Sequence, residues 1–492
     1  MAQRHTKEEG MTFNESGLRV AILPLPGFAF LPSETEFLMF RQFARDIRDL
    51  YGAFTYMVLP KFGAEQVSPE PGIRYLWEGP LNIFQDGIVD SPTTFLTTFN
   101  PRDGKYPVDI AISSRGAFGA ILQRSLREAR GGMRIPLVLD ESMPVDFGWK
   151  ANPMIDWTEL ASRCISYSMV SHVFFDTERE KSVAMSGCRR VIASNLLKDI
   201  GKNMTALPYG FSSEFVDETV KGVKKKDKFT LFIGARLNLD KQWRDIIDAY
   251  NRFYSFGHDV NIQICSPSNA KNAERELVKT NAAISIFTEC PQPDFLREAA
   301  SSHVVLNTSK IEGFSVGIVQ QLYIGLIMLL PRLDWVKGLL KEKYDDYPFL
   351  YDDGEMEQAQ SLMLEIFEDY EGSKKKIAWL PAWLKKNYDS KSVCIPQMYQ
   401  KLQSLAKDDV KFDRFWSPQT VRIFKKVADA MPSPFKFEDY LDALTSTSQM
   451  LPKRLECPRL GRPSRWSVWT WLKGHGYRDT CKTEMPVFER ME

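Results

Sequence analysis

The alternation of short apolar runs with amphipathic helical stretches, repeated twice along 492 residues, constrains this chain more than any single motif. "LRVAILPLPGFAF" at 18–30 predicts a buried strand that breaks into a loop at Pro24, Pro26 and Gly27. "EFLMFRQFARDIRDLYG" follows with apolar residues at helical spacing and a stop at Gly52, and "AFTYMVLP" is a second strand. Strand, helix and strand at this spacing form a parallel βαβ unit. "VDIAISSRG" and "RIPLVLDES" repeat the strand-then-polar pattern, and "SHVFFDTEREKSVAMSG" adds a strand, a cap at Thr177 and a helix. "VKGVKKKDK" at 220–228 is a basic, polar break. The pattern then restarts with "FTLFIGARL", a helix ended by Gly257, "DVNIQICSP", "HVVLNTSK", "SVGIVQQLYIG" and "LIMLLP". The expectation is an α/β chain with two Rossmann-like, doubly wound domains, at 1–222 and 223–405, and a segment of different character at 406–492.

Composition narrows the setting. The chain is 43% hydrophobic and 26% charged, ordinary for a soluble globular protein. A net charge of +1 gives no global field, so any preference for nucleic acid or membrane must be local. Seven cysteines without CxxC spacing argue against a disulfide framework or a zinc site and fit a reducing compartment. No apolar run approaches the roughly 20 residues that span a bilayer. "MAQRHTKEEG" lacks the apolar core of a signal peptide, so the expected location is cytoplasmic.

Two stretches in the second domain carry chemistry. "FIGARLNLDK" places Gly234 at a strand end, followed by Arg236 and Lys241. An arginine and a lysine leaving one strand end make a cationic fork for a diphosphate; the alternative is a pair of solvated loop charges. "SKIEGFSVGIVQ" places Glu312 on the turn between a strand and a helix. Ser315 can cap that helix, whose first amides then point into the cleft and can bind phosphate oxygens. Glu312 stands where it can accept from sugar hydroxyls, and Gln320 lies deeper in the helix, within reach of a ribose. The alternative is a surface cap at Glu312 and an incidental polar group at Gln320.

"GARLNLDK" resembles the glycine-arginine-leucine…lysine motif of retaining glycosyltransferases with the GT-B fold, the glycogen-synthase-like and sucrose-synthase-like family. "SKIEGFSVGIVQ" resembles that family's glutamate-x7-glutamate motif, and "LPYGFSSEFVDE" at 207–218 the segment ahead of its interdomain linker. The resemblance implies a GT-B architecture and transfer of a hexosyl or pentosyl group from a nucleotide sugar, UDP- or GDP-linked. Arg236 and Lys241 would hold the donor diphosphate and stabilise the departing nucleotide, making a metal cofactor unnecessary. Glu312 would contact the donor sugar, and the amides of Gly313, Phe314 and Ser315 its phosphates. Gln320 stands where the family usually has its second glutamate. The first domain departs further: the family's Gly-Gly loop is reduced to Gly27, and Asp140 and Glu141 stand where a histidine is common. Those two carboxylates either serve the acceptor face or are ordinary loop residues.

The segment beyond 405 needs its own account. "SPQTVRIFKKVADAM" and "KFEDYLDALTSTSQ" predict two helices, at 417–431 and 436–448. Between Lys453 and Lys482 the basic residues, Arg459, Arg462, Arg465 and Lys473 among them, are interleaved with Trp466, Trp469 and Trp471. One reading is a module, winged-helix-like, that contacts duplex DNA; the other is a helical cap with a tryptophan core. With DNA contact the chain resembles in outline the phage enzymes that glycosylate hydroxymethylated pyrimidines, which implies a host cytoplasm. Two alternatives stay open: a glycosyltransferase acting on a polysaccharide, glycolipid or protein, and an inactive GT-B domain used as a DNA-binding protein or scaffold.

Overall fold

The computed structural model describes residues 17–23, 35–60, 70–78, 108–114, 135–141, 153–192, 194–234, 242–266, 284–310, 312–407, 425–436, 439–440, 442–443, 472, 477–479 and 487–490. They build two parallel sheets. The first comprises β1 (Arg19–Leu23), β2 (Phe54–Pro60), β3 (Ile73–Glu78), β4 (Ile110–Ser113), β5 (Leu137–Glu141), β6 (His172–Phe175) and β7 (Met204–Ala206), in the order β3-β2-β1-β4-β5-β6-β7. The second comprises β8 (Phe229–Gly234), β9 (Val260–Cys265), β10 (Ile284–Phe287), β11 (Val304–Leu306), β12 (Ile327–Pro331) and β13 (Leu350–Tyr351), in the order β10-β9-β8-β11-β12-β13. Strand order reverses between β1 and β4 in one sheet and between β8 and β11 in the other. At such points the connections part to opposite faces and leave a crevice at the carboxyl edge.

The apolar runs become strands because each sheet is covered on both faces. Along the first sheet, Ala21, Ala111, Leu139 and Phe175 pack with Leu160, Cys164 and Ala184 of the helices Pro153–Met169 and Glu178–Val191. The alternate positions Val20, Ile22, Ile112, Val138 and Phe174 pack with Phe40, Phe43 and Ile47 of the helix Thr35–Tyr51. Period-2 alternation thus assigns each side chain to one core or the other. The second sheet has a core of its own, into which Tyr250, Leu296, Val319, Val336 and Leu384 project from its helices.

The chain crosses between the sheets twice, and the crossings pair with each other. Phe211 N donates to Tyr388 O at 3.0 Å and Ser390 N to Phe211 O at 2.8 Å. Asp389 completes the junction, accepting from Ser213 N at 3.0 Å, Ser392 N at 3.0 Å and Ser392 Oγ at 2.7 Å. Gly210 is required there: its φ is +76°, and a Cβ would lie 2.3 Å from Tyr388 O. After this second crossing the helix Ile395–Lys407, expected to close the second domain, returns to the first. Its Met398, Tyr399 and Leu402 lie in the core beside Phe40 and Ile47.

Beyond residue 407 the described residues are helical at 425–430, 439–440, 442–443 and 472. They also include strands that sequence periodicity does not predict: β14 (Phe435–Lys436), β15 (Tyr477–Asp479) and β16 (Val487–Arg490), antiparallel in the order β14-β16-β15. Arg459, Arg462, Arg465 and Lys473 lie outside the described residues.

Candidate functional site

Both signature segments of the second domain leave from its switch point. β8 ends at Gly234 and β11 at Leu306, and these strands are neighbours. Between them stands Tyr250, fully buried on the helix Trp243–Ser255. Its hydroxyl donates to Phe232 O at 3.0 Å and accepts from Leu306 N at 2.8 Å. A hydroxyl thus fills the ladder position where the two backbones would otherwise meet. The direct pairing runs only through Val304–Leu231 and Val305–Phe232, and the strands part beyond it. Sequence reading passes over Tyr250 as one more core aromatic.

Gly234 is fixed by crowding. A Cβ there would lie 2.5 Å from the Phe232 ring and 2.7 Å from the Phe295 ring. The next seven residues, Arg236 and Lys241 with them, lie outside the described residues, as does Gly27 in the first domain. The chain resumes at Gln242, whose carbonyl accepts from Thr308 Oγ1 at 3.4 Å. Gln242 is thereby tied to the segment after β11. That second segment is braced along its length. Asn307 Oδ1 accepts from Ser309 N at 3.0 Å, Tyr351 Oη donates to Asn307 O at 2.7 Å, and Trp335 Nε1 donates to Ser309 O at 2.9 Å.

The braced segment ends at the Glu312–Gly313–Phe314–Ser315 turn. Glu312 and Gly313 are half-buried. Phe314 packs its ring 5.0 Å from that of Tyr388. Ser315 takes the N-cap position of the helix Val316–Tyr323, but its side chain makes no capping hydrogen bond, so the first-turn amides are not closed off by it. Gln320 is buried, and its Oε1 lies 3.5 Å from Gln292 Nε2 on the neighbouring helix. Among these contacts it faces the second domain's interior.

On the first domain, Asp140 and Glu141 end β5 and are fully buried. Glu141 is ion-paired with Arg163 Nη1 at 2.7 Å inside the first core. That contact ties Glu141 to the helix Pro153–Met169 rather than to the cleft. The residue that does reach across is Asp176, immediately after β6. Its Oδ2 accepts from Phe314 N at 3.1 Å, joining the two domains at the motif turn. Burial pushes its carboxyl up to about 7, against the pull of the Phe314 N–H. Cys394 lies close by, its thiol raised to about 12 chiefly by burial, with Lys341 opposing and Asp389 and Asp176 reinforcing the rise. The signal for Asp176 was present in "HVFFDTERE", a carboxylate between a buried strand and a helix cap.

No protein-family model and no curated protein matches this sequence. Solved structures do match in shape. HepE from Anabaena, solved in complex with UDP and glucose, superposes with a TM-score of 0.57 at 16% identity, covering 79% of this chain and 100% of that one. Sucrose-phosphate synthase from Thermosynechococcus elongatus gives 0.55 at 11% identity, over 79% and 99%. A glycosyltransferase from Rickettsia africae gives 0.55 at 12% identity, over 80% and 100%. Two parallel sheets with helices, superposing on these glycosyltransferases over about four-fifths of the chain, give the chain the GT-B fold.

Proposed function

We propose that this chain is a glycosyltransferase that takes a sugar from a nucleotide-sugar donor held on the second domain and passes it, with retention, to an acceptor hydroxyl. One observation carries the reading. Both strands of the second sheet's switch point lead into the two segments with donor-site chemistry, and Tyr250 holds those strands apart. Arg236 and Lys241 hold the diphosphate in this scheme. Negative charge grows there as the glycosidic bond breaks, and cations fixed beforehand stabilise it without reorganisation. Glu312 contacts the sugar. The fold's relatives agree with a nucleotide-sugar donor, HepE having been solved with UDP-glucose as well as with UDP. Titration with a panel of UDP- and GDP-sugars, followed by assay for released nucleotide, tests this; no binding by any member would reject it.

We further infer that the acceptor is DNA carrying a hydroxymethylated pyrimidine. The support is the run of arginines, lysines and tryptophans between Lys453 and Lys482, in a chain whose overall net charge is only +1. Phosphate contacts release counterions, so duplex affinity should fall with salt at a log–log slope of about −0.9 per contact. Arg462→Ala with Arg465→Ala should weaken duplex binding and leave donor hydrolysis unchanged. Salt-insensitive behaviour, or ready transfer to a glycan or lipid, would overturn the DNA acceptor alone.

A further inference from the structure

Asp176 and the Phe314 amide come from opposite domains and meet at 3.1 Å. Asp176 is 7% exposed, and its Oδ1 makes no hydrogen bond among the described residues. The Phe314 N–H stands within the turn that places Glu312 at the sugar. A phosphate oxygen cannot share that amide with a carboxylate, because two anionic acceptors would compete for one donor and repel each other. A hydroxyl can share it: it accepts from the amide and donates its own proton to the carboxylate. We infer that Asp176 and the Phe314 amide form one hydroxyl-reading pair, which takes a hydroxyl of the donor sugar between the two domains. Asp176 is thereby a specificity-determining residue supplied by the first domain, and the Phe314 amide belongs to the sugar rather than to the phosphates. This rests on the nucleotide-sugar reading above.

The surroundings fit a neutral ligand group. Glu178 and Arg179 open the helix that follows Asp176, and Glu312 stands two residues ahead of Phe314. Lys341, Asp389 and Cys394 complete the charged and titratable neighbourhood from the elements that bring Cys394 against it. Burial lowers the Lys341 ammonium, and the Cys394 thiol stays neutral near pH 7. A hydroxyl that donates to Asp176 favours the ionised carboxylate. With that carboxyl at about 7, the affinity contributed by the sugar should rise as pH increases through neutrality.

The test compares UDP-glucose with UDP by calorimetry on the full chain. The ratio of the two affinities isolates what the sugar contributes. Asp176→Ala should cut that ratio roughly 10–100-fold, the range for a hydrogen bond to a charged group, with UDP affinity unchanged. Asp176→Asn, which keeps the shape, should cut it less and remove its rise between about pH 6 and 8. Equal loss of UDP and UDP-glucose binding would make Asp176 a brace between domains and overturn the pair. Tighter UDP binding in the alanine variant would mean that the carboxylate screens a phosphate site, and would overturn it too. If the wild type binds neither these nor any other nucleotide sugar, the underlying reading falls and the pair falls with it. An unchanged ratio in a binding-competent variant removes the pair alone.

Discussion

Tyr250→Phe removes one oxygen atom from the centre of the second domain and should be felt in two ways. The hydroxyl has 3.0 and 2.8 Å bonds to Phe232 O and Leu306 N, and the side chain is 0% exposed. Phenylalanine leaves a buried carbonyl and a buried amide without partners, at about 1–3 kcal/mol each, so about 2–6 kcal/mol in total. For a domain of this size the loss lowers Tm by about 4–24 °C. The structure has one way to recover: β8 and β11 can draw together and pair directly. That closure would narrow the switch point and pull together the segments that lead to Lys241 and Glu312, so recovered stability should be accompanied by weakened nucleotide binding. Thermal unfolding and nucleotide-sugar titration on the same preparation read both consequences. A variant with Tm within about 1 °C of wild type and unchanged donor affinity would refute the wedge.

Asp389→Ala strips three donors at the domain crossings of their shared acceptor and should cost about 2–4 kcal/mol in denaturant unfolding, against little effect from replacing exposed Asp353. His303 accepts from Thr230 N through Nδ1 at 3.0 Å, and burial, with Lys225 and Lys226 behind it, pushes its pKa down to about 4. The folded state therefore resists a proton that the unfolded chain takes up near pH 6.5, and stability should fall between about pH 6.5 and 4. In His303→Asn that slope should flatten, and an unchanged slope would place the acid lability elsewhere. Transfer should persist in EDTA if the proposed side-chain cations, Arg236 and Lys241, meet the leaving diphosphate; loss of activity reversed by a divalent ion would show otherwise.

The central strands could be read from sequence, and the edges could not. β1, β2, β4, β5, β6, β8, β9, β11 and β12 lie inside the sheets and appear as apolar runs. In the two parallel sheets the four that escape, β3, β7, β10 and β13, are the four edge strands. An edge strand is covered by fewer neighbours, so its sequence carries less of the apolar signal: β10 alternates half-buried and exposed residues, and β13 is two residues long. The helix Ile395–Lys407 was counted with the second domain, and its return to the first core depends on the crossing at Phe211 and Asp389, between residues far apart in sequence. Glu312 and Gly234 were visible because strand-end motifs are local. Asp176 carried the same strand-end signal, but its role was hidden because its partner Phe314 lies 138 residues away. Glu141 shows the converse: a polar residue at a strand end can belong to an internal ion pair, here with Arg163.

The measurement that bears most directly on the account is nucleoside diphosphate release from a panel of nucleotide sugars by the wild type, Arg236→Ala and Lys241→Ala. The account predicts release from at least one donor by the wild type, cut roughly 10²–10³-fold in each variant, as loss of a preorganised charge-stabilising group does in other enzymes. The exposed control Lys374→Ala should turn over normally. Near-normal release in both variants, or no turnover of any donor by the wild type, would contradict it.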